Sequence, residues 1–345
     1  VLFRSNFYLI ETARGCGRHC RFCMAGYCFR RPRNRSLGIV TREVKDALKL
    51  GKRIGLMGAA ISDYPEINEL CREILGEGLS MSVASFRADS VTKELVDSLA
   101  GSGLKTLTMA PEAGSVRMRA VINKGIEEKH LFTAMDLGLA AGIRNFRLYI
   151  MVGLPFEQDE DIEAIIDLAN RLKDYMEERG SNGMLTLSVN PFIPKPFTPF
   201  QWEPQDTIPV LHEKQQHIKD SITTRKIQFN YHDADTSYLE AVFARGDRKL
   251  CKVMELACER GFHFDGWNDC FSLEKWLELF DECGVDPSFY ANRHRSFDEI
   301  LPWDHIDYGV TKDFLIRECK KAYADTTTPH CRLKCNNCGA AKYGK

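Results

Sequence analysis

The stretch 11–27, ETARGCGRHCRFCMAGY, holds three cysteines within eight residues: Cys16, Cys20 and Cys23, spaced C-x3-C-x2-C. Three thiols are an odd set for disulfides and one short of the four that close a structural metal site. Gly15 and Gly17 flank the first thiol and permit the tight backbone that wrapping a metal group requires. The incomplete ligand set is the informative feature, because catalytic metal centres keep a position open.

Working outward, the trio follows a strand-like run, FYLIET (7–12). Further strand patterns occur at 53–57, 81–85, 104–110, 144–152 and 184–190, with helix-like stretches between them. In the longest helical stretch, Ile162, Ile165, Ile166, Ala169 and Leu172 fall on one face at a 3.6-residue period. Gly103, Gly142 and Gly180 punctuate helix ends. Alternating strands and helices predict parallel β/α units with right-handed crossovers. The expected fold is α/β, a partial (β/α)6 TIM-like barrel with a C-terminal mostly helical domain. The proline-rich stretch NPFIPKPFTPFQWEP (190–204) sets the expected boundary, giving domains 1–205 and 206–345. Six predicted strands open onto one rim, where parallel β/α proteins place their active sites.

The bulk numbers exclude several classes. In 345 residues the formal net charge is −1, so no broad electrostatic case exists for nucleic acid or anionic membrane. No apolar run approaches the roughly 20 residues that span a bilayer. The 13 cysteines cluster near both ends of a chain without a visible secretory signal, which favours metal over disulfides and a cytoplasmic setting. The six scattered ones (Cys71, Cys251, Cys258, Cys270, Cys283, Cys319) read mostly as small buried hydrophobes. The first residue is Val1, and the strand run follows almost at once, which suggests missing upstream sequence.

The cysteine spacing, with Phe22 before the last thiol and a (β/α)6 pattern behind it, resembles the radical SAM superfamily. The segments APEAGSVRMRAVINKGI, YIMVGLPFEQDEDI and NPFIPKPFTPFQW resemble uncharacterised members that carry a cobalamin-binding domain ahead of the barrel, a domain absent here. The resemblance implies a [4Fe-4S] cluster on Cys16, Cys20 and Cys23, its open iron chelated by S-adenosylmethionine. It implies reductive cleavage to a 5′-deoxyadenosyl radical, and an electron donor of flavodoxin or ferredoxin type. Methyl transfer assisted by cobalamin and hydrogen abstraction without it are both consistent. By the same resemblance, Phe22 lies beside the adenine, Gly58 and Ala59 receive the methionine amino group, and Glu112 bonds the ribose or amino group. Lys124 meets the methionine carboxylate, Gly153 and Leu154 line the adenosyl pocket, and Ile193 backs the adenine. Ser85 and Arg87, at the end of the third strand, complete the candidate lining.

Simpler readings stand beside these. Glu112 can cap the following helix, Lys124 can be a solvated turn residue, and Arg87 can pair with Asp89. His19 reads as solvent-facing or in contact with the ligands, and Cys28 as structural. The tail repeats the opening spacing in Cys331, Cys335 and Cys338, with no strand ahead of it. An auxiliary iron–sulfur cluster or a zinc site is expected there, with His330 or Cys319 as candidate fourth ligand. LPWDHIDYG (301–309) offers either a substrate-facing polar group or a Trp anchor with a turn-forming Asp. FARGDRKL (243–250) offers an anion site or a surface ion pair. The rival class is a non-catalytic iron–sulfur or zinc scaffold. No membrane partner is expected and nucleic acid is disfavoured.

Overall fold

A computed structural model describes residues 6–343 of the chain, except Lys52, Ala84, Ser85 and Asn268. The expectation placed on Ser85 therefore lies outside the described residues. Strand β1 (Phe7–Glu11) runs into a short antiparallel ribbon, β2 (Ala13–Arg14) with β3 (Arg33–Asn34), which clasps the base of the cysteine loop. Alternation follows through α1 (Leu37–Lys49), β4 (Arg53–Met57), α2 (Ile67–Gly76), β5 (Met81–Val83), α3 (Lys93–Gly101) and β6 (Thr106–Glu112). It continues through α4 (Val116–Val121), α5 (Glu128–Ala140), β7 (Asn145–Val152), α6 (Asp159–Glu178), β8 (Leu185–Pro191), α7 (Ile208–Ser221) and β9 (Ile227–Tyr231). The remainder is helical: α8 (Ala234–Ala244), α9 (Leu250–Glu259), α10 (Leu273–Glu282), α11 (Ser288–Ala291) and α12 (Lys312–Tyr323).

Two parallel sheets, β1-β4-β5 and β6-β7-β8-β9, are joined by a parallel bridge between Phe86 and Met109. Together they make the curved wall of a partial TIM-like barrel. Strand β7 shows why the wall forms. Phe146, Leu148, Ile150 and Val152 are buried in the main core against the helices, and the residues between them are only half-buried. That period of two commits one face of each strand to the helix layer and leaves the other to the barrel interior. Helix α6 supplies the matching stripe: Ile162, Ile165, Ile166, Ala169 and Leu172 are all buried. Gly114 lets the β6–α4 turn press against α6, since a Cβ there would sit 2.3 Å from the Ile165 nitrogen.

Strand β9 was not expected. Residues 207–345 read as helices and loops, yet Ile227–Tyr231 pairs with β8, so α7 and β9 extend the sheet past residue 205. Its five residues alternate Ile-Gln-Phe-Asn-Tyr, a period-two signal too short to stand out behind a long helix. A second core, with Val242, Val253, Trp276 and Phe280, holds the C-terminal helices together. A third joins Tyr27 of the cysteine loop to Trp202, Trp303, Phe314 and Cys319.

Two surface expectations are corrected here. Arg245 is fully buried and donates to the carbonyls of Ala291 (2.9 Å) and Arg293 (3.0 Å), so it braces the helical region and is neither an anion ligand nor a surface ion pair. Of the scattered cysteines, Cys71 and Cys319 are buried, but Cys251, Cys258 and Cys270 are exposed. Cys251 and Cys258 lie two turns apart on α9, on the face away from the second core, whose α9 members are Leu250, Val253 and Ala257.

Candidate functional site

The cysteine loop hangs from the C-terminal end of β1. Gly15 enters it with φ +84°, and a Cβ there would lie 2.0 Å from the Phe29 carbonyl oxygen, so only glycine fits the close approach of the loop's two arms. The Cys23 amide donates to the Cys20 carbonyl at 3.1 Å, and the Arg18 amide donates to Cys16 Sγ at 3.4 Å. Tyr27, fully buried, donates its hydroxyl to the His19 carbonyl at 3.1 Å. Arg21 is also fully buried and straps the loop to the rest of the fold, donating to Val121 O (2.7 Å) and Thr326 O (2.6 Å).

The three thiols share one electrostatic environment. Burial pushes the Cys23 thiol up to about 11, with Cys20 and Cys16 adding to the shift; burial and Cys20 likewise raise Cys16. Among the described residues, no three or more His, Cys, Asp or Glu side chains gather tightly enough to hold a single metal ion. A multi-iron cube spaces its ligands more widely than one ion does. Three thiols on one glycine-hinged loop, one accepting an N–H bond from Arg18, fit such a group held at three corners.

Beside the trio lies a chain of contacts drawn from separate strand ends. Arg87, after β5, donates to both oxygens of Asp89 (3.0 and 3.1 Å), to the Lys124 carbonyl (2.6 Å) and to Cys20 Sγ (3.9 Å). Burial opposes its charge, yet Cys20 and Asp89 hold its pKa above the ordinary arginine value. Lys124 Nζ pairs with Glu112 at 3.0 Å and stands 5.7 Å from the centre of the Phe22 ring. Phe22 packs on the cluster that contains buried Leu154. Both simpler readings of the Glu112–Lys124 pair are thereby set aside: Ser115 caps α4, and Lys124 is 8% exposed. Glu112 itself sits at φ 67°, a left-handed conformation that non-glycine residues seldom adopt.

Gly58 and Ala59 line a separate cavity of about 520 Å³ between the end of β4 and the cysteine loop, with Glu11, Arg14 and Phe29 on its other walls. Gly153 adopts φ +73° and donates its amide to Glu157 at 2.7 Å. Ile193 packs against the second core, on the side of the C-terminal helices.

The tail folds back onto this loop. The Cys331 amide donates to the Gly17 carbonyl at 3.2 Å, and a Cβ on Gly17 would lie 2.8 Å from the His330 ring. Cys331 Sγ lies 3.6 Å from His19 Nε2 and is also contacted by Arg30. Burial and the neighbouring Arg30 charge pull His19 down to about 3, so it is neutral near pH 7. Cys338 and Cys335 both act on Cys331, so the second trio is also one electrostatic group. Cys319, by contrast, is buried beside Glu203. In the 301–309 loop the Trp-anchor reading holds: Trp303 donates to Gln201 at 2.7 Å, and Asp304 accepts from the Leu301 amide at 3.1 Å.

The family model for the radical SAM superfamily matches residues 10–169, which begins in β1 and takes in the whole cysteine loop. Residues 10–169 thus carry a radical SAM domain. Among curated proteins it is 34% identical over 280 residues to the uncharacterized protein MJ0966 of Methanocaldococcus jannaschii, covering 81% of this chain and 61% of that one. It is 24% identical over 172 residues to a tRNA-2-methylthio-N(6)-dimethylallyladenosine synthase of Carboxydothermus hydrogenoformans, covering 46% and 39% of the two chains. Among solved structures, SuiB of Streptococcus suis aligns with a TM-score of 0.47 at 15% identity, over 69% of this chain and 52% of that one. The chain thus spans about three fifths of the first of these relatives and less of the others.

Within this radical SAM fold, sequence reasoning missed the charged frame around the trio. Arg18 pairs with Asp63 at 2.8 Å and with Asp89 at 2.9 Å, tying the loop to the ends of β4 and β5. The only signal was the position of Arg18 between two ligand cysteines. Its acidic partners lie 45 and 71 residues away and carry no local pattern.

Proposed function

We propose that this chain cleaves S-adenosylmethionine reductively, holding a [4Fe-4S] cluster on Cys16, Cys20 and Cys23. The observation that carries the reading is the thiol trio on the glycine-hinged loop at the end of β1, contacted by the Arg87 guanidinium. When bound, the cluster supplies the electron that splits the sulfonium C–S bond and yields a 5′-deoxyadenosyl radical. The chain's own residues bind and orient. The Glu112–Lys124 pair offers a carboxylate to the nucleoside or amino group and an ammonium to the methionine carboxylate, while Phe22 and Leu154 offer an apolar bed for the adenine. Gly58 and Ala59 leave room at the β4 end for the methionine portion. Arg18 and Arg87 hold the loop in register against Asp63 and Asp89.

The tail trio is proposed as an auxiliary metal group beside the first, with His19 at its edge. Cobalamin-assisted methyl transfer is the favoured reaction class, an external flavodoxin- or ferredoxin-like protein the electron source, and the cytoplasm the setting. Among the described residues no helix is long and apolar enough to cross a membrane.

Anaerobic reconstitution with iron and sulfide, followed by dithionite and S-adenosylmethionine, tests the core reading. It predicts 5′-deoxyadenosine from the wild type and none from Cys20→Ala. Production by the variant at wild-type rate overturns the reading. The scaffold alternative predicts no nucleoside from either.

A further inference from the structure

The barrel interior carries an unpaired cation. Arg147 lies mid-way along β7, on the face opposite the core residues Phe146 and Leu148. Its Nε is buried and has no hydrogen-bond partner, and among the described residues its guanidinium makes no hydrogen bond or ion pair at all. Buried donors are nearly always satisfied. A cation kept there without a carboxylate is poised for something brought to it.

Its neighbours on the same face point the same way. Thr108 of β6 is paired in register with Arg147. One step toward the rim come Tyr149 and Ser188, paired across β7 and β8, with Asn230 of β9 beside Ser188. Asn190 lies one step higher on β8. All five are half-buried, and among the described residues none of their side chains makes a hydrogen bond. A parallel-barrel interior filled only for stability is dominated by branched apolar residues. This one presents open donors and acceptors around a single positive charge.

We infer that Arg147, on the interior face of β6–β9, anchors a substrate carrying an oxyanion, either a carboxylate or a phosphate. The inference rests on the radical SAM reading for its chemistry. Planar, bidentate capture of such groups is what a guanidinium does best. The geometry also sizes the substrate. Glu112, at the rim, is in register with Ile150, three residues beyond Arg147. At roughly 3.3 Å per residue the anion sits about 10 Å below the rim. The reacting carbon therefore lies several bonds from the anionic group, with polar atoms between them facing Tyr149, Ser188 and Asn190.

The test is titration calorimetry on the reconstituted protein, without S-adenosylmethionine or dithionite. Inorganic phosphate and sodium acetate are the probes, and wild type, Arg147→Lys and Arg147→Gln the proteins. At least one anion binds wild type, about tenfold or more weaker to Arg147→Gln, with Arg147→Lys in between. A phosphate response alone assigns a phosphate ester, an acetate response alone a carboxylate. If neither anion binds wild type, or Arg147→Gln binds as well as wild type, the inference is overturned. Should Arg147→Gln lose its cooperative melt, Arg147→Lys carries the test, and undiminished affinity there overturns it equally. Failure of the wild type to cleave S-adenosylmethionine would remove the radical reading without touching this result.

Discussion

Replacing Arg87 with Gln should separate the structural and electronic roles of one side chain. In the native fold Arg87 is 8% exposed, and its guanidinium makes three kinds of contact: both Asp89 oxygens, the Lys124 carbonyl and Cys20 Sγ. Breaking a buried ion pair by removing one partner costs about 3–5 kcal/mol. Asp89 keeps its bond to Arg18 at 2.9 Å, so the lower end, about 3 kcal/mol, applies. The electronic effect has a ceiling set by the 3.9 Å contact with sulfur. At an effective dielectric of 20, a unit charge at that distance contributes about 4 kcal/mol, or ~180 mV for one electron. Charge spread over several iron and sulfur atoms reduces this to several tens of millivolts. A cation favours the reduced, more negative cluster, so its loss moves the midpoint potential downward. The assay is an anaerobic redox titration followed by electron paramagnetic resonance, beside a chemical denaturation curve. Arg87→Lys should recover part of the potential and little of the stability, because it keeps the charge and loses the fork. A potential that stays put or rises in Arg87→Gln refutes the reasoning, whatever the stability does.

Other perturbations follow from contacts already described. Glu112→Gln breaks the pair with buried Lys124 and should weaken S-adenosylmethionine binding at least tenfold by equilibrium dialysis, with about 2–3 kcal/mol of stability lost. Gly15→Ala places a Cβ 2.0 Å from the Phe29 carbonyl at a φ of +84°; it should abolish iron incorporation, measured by iron content, even where the barrel still folds. Asp161 is nearly buried, and although burial alone would raise its carboxyl, hydrogen bonds from Arg117 and Ser115 hold it below the ordinary 3.8. Its folded pKa is depressed, so its stabilisation is present above about pH 4 and lost as pH falls through the folded value. Asp161→Asn should therefore destabilise the protein at pH 7 and converge with wild type in strong acid, read from denaturation midpoints across pH.

Much of the wall was legible because period-two burial leaves a plain trace: Phe146, Leu148, Ile150 and Val152 alternate with polar or half-exposed residues. The thiol trio was legible because its spacing is local. Strand β9 was not, since five residues directly behind α7 look like the frayed end of a helical run. The Arg87–Asp89 pair was legible from its two-residue spacing, but the pairs of Arg18 with Asp63 and Asp89 were not, because they depend on which strand ends the barrel brings together. Of the two readings of His19, the solvent-facing one fails for a related reason. A histidine between two ligands looks free to face solvent until a segment more than 300 residues later, ending in Cys331, covers it.

That covering has a consequence for biogenesis. The wall formed by His330 and Cys331 reaches Gly17 only after the more than 300 residues between them have left the ribosome. At roughly 5–20 residues per second, the opening thiols stay uncovered for some 15–60 s during synthesis. An iron donor could reach the nascent loop in that interval, and a truncated product would leave the same flank permanently open to air.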